Sequence, residues 1–409
     1  MPRRRDALAA ARVAGDGLAG TARTVRDVHL AVADRVFRYV GPQARPVRLA
    51  HDGISRVTYA AVGAGVRGLA EVGGRAAAIR QPAGAASQRI TDHPTAAGVI
   101  GALNGAWGDY LSGRRSPLAL DMTIRRHGRD VPPTEADLAA AFSDASSDVV
   151  VFLHGLCETD RAWWLGAAKH YGDNDSTHGS RLAVATGATP VYLRYNTGHH
   201  ISDNGQLLAA LLADLVTHWP VPISRLTLVG HSMGALVIRS ACAQADGEEW
   251  LDRVQRCVYL GGPHLGAPLE LAATAAGLAL ARFPETKPLS QALATRSSGI
   301  KDLRYGDIAA ADWAEITDPD AWRAEPAACL PLLASVTHYY VGVTLTRSNR
   351  HPVARVIGDA FVTWPSAGGR SRRRDLALAA DCGRHLGGLH HFDLLNHPRV
   401  WAVLEEWLG

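Results

Sequence analysis

The chain has 409 residues, 47% of them hydrophobic and 20% charged, with a formal net charge of +4. That balance belongs to an ordinary globular protein, and the length exceeds one usual core, so one large domain with an appendage, or two domains, are expected. No segment is apolar for long enough to span a bilayer, because every long run is broken by Arg, Asp or Glu, and no repeat or low-complexity tract appears.

Charge is unevenly placed. Residues 1–130 hold 20 Arg against 10 acidic residues, and the remainder holds 23 basic against 29 acidic. The arginines are dispersed, aromatics are sparse and no recognition motif appears, which excludes a nucleic-acid partner. Met1-Pro-Arg-Arg-Arg-Asp6 and the alanines after it imitate a signal peptide, but Arg12 and Asp16 interrupt the apolar region, so a cytoplasmic location is expected, with membrane association as an alternative. Five scattered cysteines, Cys157, Cys242, Cys257, Cys329 and Cys382, give neither a disulfide framework nor zinc spacing and favour a reducing compartment.

Thr24–Val40 sets Val25, Val28, Val32, Val36 and Val40 at near-helical spacing opposite Arg26, Asp27, Arg35 and Arg38. An amphipathic helix is expected there, docking its apolar face within the protein or making a peripheral membrane contact through this N-terminal region. Ile54–Val72 also reads as helical, its three glycines suggesting close packing. Pro82–Pro94 reads as a linker or a turn-rich crossing, and Ala96–Leu111 as an apolar stretch that packs. Residues 1–114 are therefore expected to form a basic, mainly helical extension. Residues 115–409 are expected to form the catalytic domain, with its first strand at Leu118–Arg126 and a turn at His127-Gly128.

From there strands and helices alternate: strands at Val149–Leu153, Pro190–Arg194, Arg225–Val229 and Arg256–Leu260, helices at Asn204–Trp219 and Met233–Ala245. This predicts a mostly parallel sheet with helices on both faces. Ser202 or Asp203 is the expected N-cap of the Asn204 helix, and Pro220 its terminator. The loop Asn196–Asp203, with His199 and His200, leaves the carboxyl end of a strand and is expected to line a pocket. No spaced carboxylate and cysteine set accompanies its histidines, so no metal is expected.

Two segments carry chemistry. Arg225–Val229 breaks into Gly-His-Ser-Met-Gly and resumes as a helix-compatible run, which puts Ser232 on a sharp strand-to-helix turn with room made by Gly230 and Gly234 around His231. Upstream, Val149–Leu153 ends in His154-Gly155. An acyl-transfer site needs two amides aimed at the developing oxyanion, here expected from Met233 and Leu156. Downstream, in the order such a site demands, Asp359 follows the apolar run His338–Leu345, and a histidine in Gly388–Pro398 can reach back to the serine before a terminal helix at Val400–Leu408.

With F-L-H-G-L at 152–156, L-V-G-H-S-M-G at 228–234, G-G-P-H-L-G-A-P at 261–268, G-D-x-x-V at 358–362 and H-F-D-L-L-x-H-P at 391–398, the chain resembles the lipase and GPI-inositol-deacylase-like branch of the α/β-hydrolases over residues 115–409. The resemblance implies an α/β-hydrolase fold and a serine esterase with triad Ser232, Asp359 and His391. His390 and His391 diverge as neighbours, and the spacing to Leu394, Leu395 and Pro398 favours His391. Asp375, Asp381 and Asp393 compete with Asp359: Asp375 sits in an Arg-rich surface stretch, and Asp393 is too close in sequence to approach the histidine from another loop. In this fold an insertion after Gly261–His264, about 268–337, covers the active site as a lid or cap. Its Leu269, Leu271, Leu278 and Leu280 favour an ester with a hydrophobic acyl chain. The expectation is a cofactor-free and metal-free ester hydrolase acting on a small-molecule or lipid ester through an acyl-Ser232 intermediate. An acyltransferase using the same triad, or a catalytically silent scaffold that binds a membrane or protein partner, are the alternatives.

Overall fold

The computed structural model describes residues 96–267, 296–316 and 330–409 other than 373, together with 90–92, 318 and scattered positions between 8 and 71. The chain divides into two compact units, one of residues 1–93, 113–118 and 272–296, the other of 94–112, 119–271 and 297–409. In the first, the described positions between 8 and 71 are helical, including Thr24, Arg26, Asp27, Leu30, Ala31, Asp34 and Arg38. The five valines expected to form an apolar face lie outside the described residues, as do Leu269, Leu271, Leu278, Leu280 and Cys329.

The second unit is built on an eight-stranded sheet: β1 (Thr123–Arg126), β2 (Arg129–Val131), β3 (Asp148–Leu153), β4 (Thr189–Arg194), β5 (Arg225–His231), β6 (Val254–Leu260), β7 (Thr337–Thr344) and β8 (Gly383–Gly387). Their spatial order is β2-β1-β4-β3-β5-β6-β7-β8. The β1–β2 hairpin is antiparallel, turning through His127 and Gly128 at positive φ, and β1 pairs antiparallel with β4. Every other pairing is parallel.

The central strands read as unbroken apolar runs because both sheet faces are covered. Val149, Val151 and Leu153 enter one core with Leu208, Leu212 and Leu215 of the helix Ile201–His218 and Leu236 and Ile238 of the helix Met233–Gln244. Val150 and Phe152 enter the opposite core with Trp163, Leu182, and Val400 and Leu404 of the helix Pro398–Leu408.

Two details differ from the sequence reading. The helix expected to start at Asn204 starts at Ile201, so Ser202 and Asp203 lie inside its first turn. Its N-terminus is held from afar: the Ile201 amide donates to Asp302 Oδ2 at 2.8 Å. The first strand is also shorter than Leu118–Arg126, because the Leu120 amide is taken by Asn104 Oδ1 at 2.9 Å instead of a strand partner.

Candidate active site

In an open parallel sheet, ligands meet the loops at the carboxyl ends of the strands. Leu156 follows β3, Ser232 follows β5, Asp359 follows β7 and His391 follows β8. Leu153 pairs with Gly230, and Gly230 with Tyr259, so the loops after β3 and β5 leave the sheet at one level.

Ser232 links β5 directly to the helix Met233–Gln244 and sits at φ 53°, ψ −120°. That is a strained conformation for a residue with a side chain, costing on the order of 1–3 kcal/mol, and it persists only where the surroundings over-determine it. Here the Ser232 amide donates to Leu260 O at 2.8 Å. A Cβ on Gly230 would lie 2.6 Å from the Ala235 nitrogen, so the sharp turn requires glycine at that position.

The loop after β3 is braced from behind. His154 is fully buried, and its Nε2 accepts the Tyr195 amide at 3.3 Å, which leaves Nδ1 as the protonated nitrogen donating to Gly155 O at 3.0 Å. Burial lowers its pKa, in keeping with a neutral ring. Tyr195 Oη donates to His154 O at 2.8 Å, and the two rings stack with centroids 4.4 Å apart. Gly155 lies against the serine, since a Cβ there would sit 2.9 Å from Ser232 Cβ. Neither the Leu156 amide nor the Met233 amide has a protein acceptor among the described residues. Both are thus available to a ligand oxygen.

Asp359 and His391, 32 residues apart, are brought together. Both are buried, and His391 Nδ1 donates to Asp359 Oδ2 at 2.7 Å. Asp359 Oδ1 accepts the amides of Phe361 (2.9 Å) and Val362 (2.8 Å), and the His391 amide donates to Asp359 O at 3.2 Å. His391 Nε2 is buried without a hydrogen-bond partner among the described residues, and Ser232 Oγ is not bonded to it. His390 is turned outward, 53% exposed, with Nε2 3.3 Å from Asp393 Oδ1. Asp375 pairs with Arg370 at 2.9 Å on the surface, and Asp381 is exposed. Gly261 of the G-G-P-H motif leaves space for the His391 ring: a Cβ there would be 3.0 Å from His391 Cε1.

Sequence reasoning missed Glu158. Its Oε2 accepts the Gly155 amide at 2.6 Å and faces His231 Nδ1 at 3.1 Å, while His231 Nε2 faces the His391 carbonyl at 3.4 Å. Both His231 nitrogens therefore face acceptors, as an imidazolium requires. Burial alone would lower the His231 pKa, but the Glu158 carboxylate and its hydrogen bond, then the His391 carbonyl and Asp359, raise it overall. For Glu158 burial pushes upward, and His231, the Gly155 amide and His154 more than reverse it, so the carboxyl is held below its usual range. One buried ion pair thus ties together the loops after β3, β5 and β8. The available signal was an acid three residues after His-Gly.

The two histidines of the Asn196–Asp203 loop take separate partners. His199 Nε2 meets Ser112 Oγ at 2.8 Å, whereas His200 Nδ1 donates to Asp302 at 3.0 Å and its ring stacks on Trp313 at 3.7 Å. No group of three or more metal-ligating side chains occurs among the described residues, and none of the described helices is long and apolar enough to cross a membrane.

Residues 143–302 match the family described as "Putative serine esterase (DUF676)". The matched span contains both amide-bearing loops and Ser232 and stops before Asp359 and His391. Curated proteins give no match. Among solved structures, the chain is similar to the mature form of the Bacillus licheniformis lipase BlEst2 (18% identity, 64% of this chain and 92% of that one, TM-score 0.40). It is also similar to the metagenomic carboxyl esterase MGS0156 (14%, 81% and 97%, TM-score 0.37) and the Pyrococcus furiosus esterase Pf2001 (15%, 65% and 84%, TM-score 0.33). These likenesses are remote, and the strand order together with the strand-to-helix turn at Ser232 defines the fold independently of them. Residues 143–302 are thus similar to this serine-esterase family, and they supply the central strands of a mostly parallel eight-stranded sheet with an α/β-hydrolase-like order.

Proposed function

We propose that the protein hydrolyses carboxylic esters with hydrophobic acyl groups through an acyl-Ser232 intermediate. The observation that carries this reading is the convergence on one sheet edge of a strained serine, a buried His–Asp pair and two amides without protein acceptors. Ser232 Oγ attacks the ester carbonyl while His391 Nε2 takes its proton. Asp359 holds Nδ1–H and stabilises the imidazolium. The carbonyl oxygen, now negative, is held by the Leu156 and Met233 amides. His391 then gives its proton to the departing alkoxide, and water, deprotonated by the same nitrogen, releases the acid and restores Ser232. The preference for an apolar acyl group is supported by Phe361 and Phe392, whose rings lie 5.3 and 5.9 Å from that of His391. The segment 268–337 is proposed as a cap over this edge; residues 268–295, 317 and 319–329 of it lie outside the described residues.

Ser232→Ala is expected to lower turnover of a p-nitrophenyl ester on the order of 10⁴-fold or more while the circular dichroism spectrum stays that of the parent. Retained turnover in purified, folded Ser232→Ala refutes the assignment.

A further inference from the structure

Between β7 and Asp359 the chain turns an apolar face outward. In the short helix Pro352–Val356 and the residue after it, Val353, Val356 and Ile357 are spaced three and four apart and share one side, while Ala354 on the other side is buried. Val356 is 69% exposed and Ile357 46%. The amide of exposed Leu345 donates to Gly358 O, next to Ile357, and four residues beyond Ile357 comes exposed Phe361, whose ring lies 5.7 Å from that of exposed Phe392 and 5.3 Å from that of His391 at the candidate site. Isolated apolar surface residues are ordinary, but several clustered on one short segment that leads to a candidate site mark a contact surface.

The charge on this segment identifies the occupant. Residues 338–358 contain no Asp or Glu, and Arg347, Arg350 and Arg355 are exposed and form no ion pair among the described residues. Three like charges oppose a second copy of the same face across a two-fold axis, since like-charge juxtaposition is costly. Arginines around an apolar face suit an anionic lipid surface instead, with the guanidinium groups at the headgroups and the aliphatic side chains at the acyl boundary.

We propose that the face formed by Val353, Val356 and Ile357, with Arg347, Arg350 and Arg355, docks the protein on anionic lipid. Resting on the esterase reading, the consequence is that the mouth of the site opens onto the phase where hydrophobic esters collect. The docking itself is measurable without turnover.

The experiment is sedimentation of the full chain with vesicles of phosphatidylcholine, alone or with about a third phosphatidylserine. Binding is expected on the mixed vesicles, weak on the neutral ones, and diminished by salt. Replacing Arg347, Arg350 and Arg355 with Gln is expected to weaken it about fivefold per arginine, on the order of 100-fold together. Val356→Ser with Ile357→Ser is expected to weaken it about tenfold or more. Both variants keep parental turnover of a soluble short-chain ester, and Ser232→Ala binds vesicles like the parent, so loss of the esterase reading and loss of this one are told apart. Equal binding to both vesicle types overturns the proposal, as does binding by the Arg or Val356/Ile357 variants as tight as the parent. A concentration-dependent dimer that Val356→Ser/Ile357→Ser abolishes, with no vesicle binding, overturns it in favour of a second copy.

Discussion

Asp359 has both carboxylate oxygens committed, Oδ1 to two amides of its own turn and Oδ2 to His391, so the imidazole is fixed with Nε2 as its basic nitrogen. Asp359→Asn keeps the shape but stabilises the wrong tautomer and no longer balances the imidazolium, and ester turnover is expected to fall on the order of 10⁴-fold. Asp381→Asn, Asp375→Asn and His390→Ala, altering exposed groups, are expected to stay within about threefold of the parent; a crippled Asp381→Asn would move the acid elsewhere. Position relative to neighbouring leucines separated His391 from His390 in the sequence, because Leu394 and Leu395 are core and fix which ring of the pair faces inward. Glu158 was illegible there, since nothing local marks a loop carboxylate as buried. Its pairing has a pH signature. The lowered Glu158 pKa contributes stability present above its ordinary 4.5 and lost as pH falls through the folded value. The raised His231 pKa contributes stability present below its ordinary 6.5 and lost as pH rises through the folded value. Both contributions are in place only between those two ordinary values. Glu158→Gln, which still accepts the Gly155 amide, should therefore lower the melting temperature most between about pH 4.5 and 6.5, with a smaller deficit on either side. Thermal melts across pH test this, and a deficit that keeps growing toward alkaline pH contradicts the ion pair.

Helix and strand identities followed from periodicity where the pattern was strong, as in the buried leucines of Ile201–His218 and the apolar runs of β3 and β5. β8 carried no such signal: Gly383-Arg-His-Leu-Gly387 is half-buried throughout, and its pairing with β7 makes it a strand. The start of Ile201–His218 was misplaced for a related reason, because its cap is Asp302, about 100 residues away. Asp302 also holds His200, whose ring lies flat on Trp313. Asp302→Ala removes both bonds and should cost about 1–2 kcal/mol, or roughly 2–8 °C in melting temperature, while Asp302→Asn, which keeps an acceptor, should cost less than half of that. Scanning calorimetry decides it, and equal melting of Asp302→Ala and the parent removes the cap from the account.

For the whole molecule, the unit that holds the sheet begins near residue 94 and includes the helix Ala97–Gly113 up to Ser112. That helix offers Asn104 to the Leu120 amide, Gly108 O to Asn196 Nδ2 and Asp109 to Ser298. Deleting residues 1–112 is therefore expected to give aggregation or loss of cooperative melting, whereas deleting 1–93 is expected to retain turnover of a soluble ester. Size-exclusion chromatography and a soluble-ester assay distinguish the two, and identical behaviour of both truncations denies the helix this role. By itself, the sequence determined the alternation of strand and helix, the parallel sheet, and the Ser232 turn following β5, because periodicity and turn chemistry act over a few residues. Tertiary structure alone decided that Asp359 meets His391 at 2.7 Å, that Glu158 and His231 form a buried pair behind the serine, and that Val353, Val356 and Ile357 face outward. Those outcomes depend on which loops the sheet order brings to one edge, and on what covers each side chain there, and neither is encoded in the spacing of neighbouring residues.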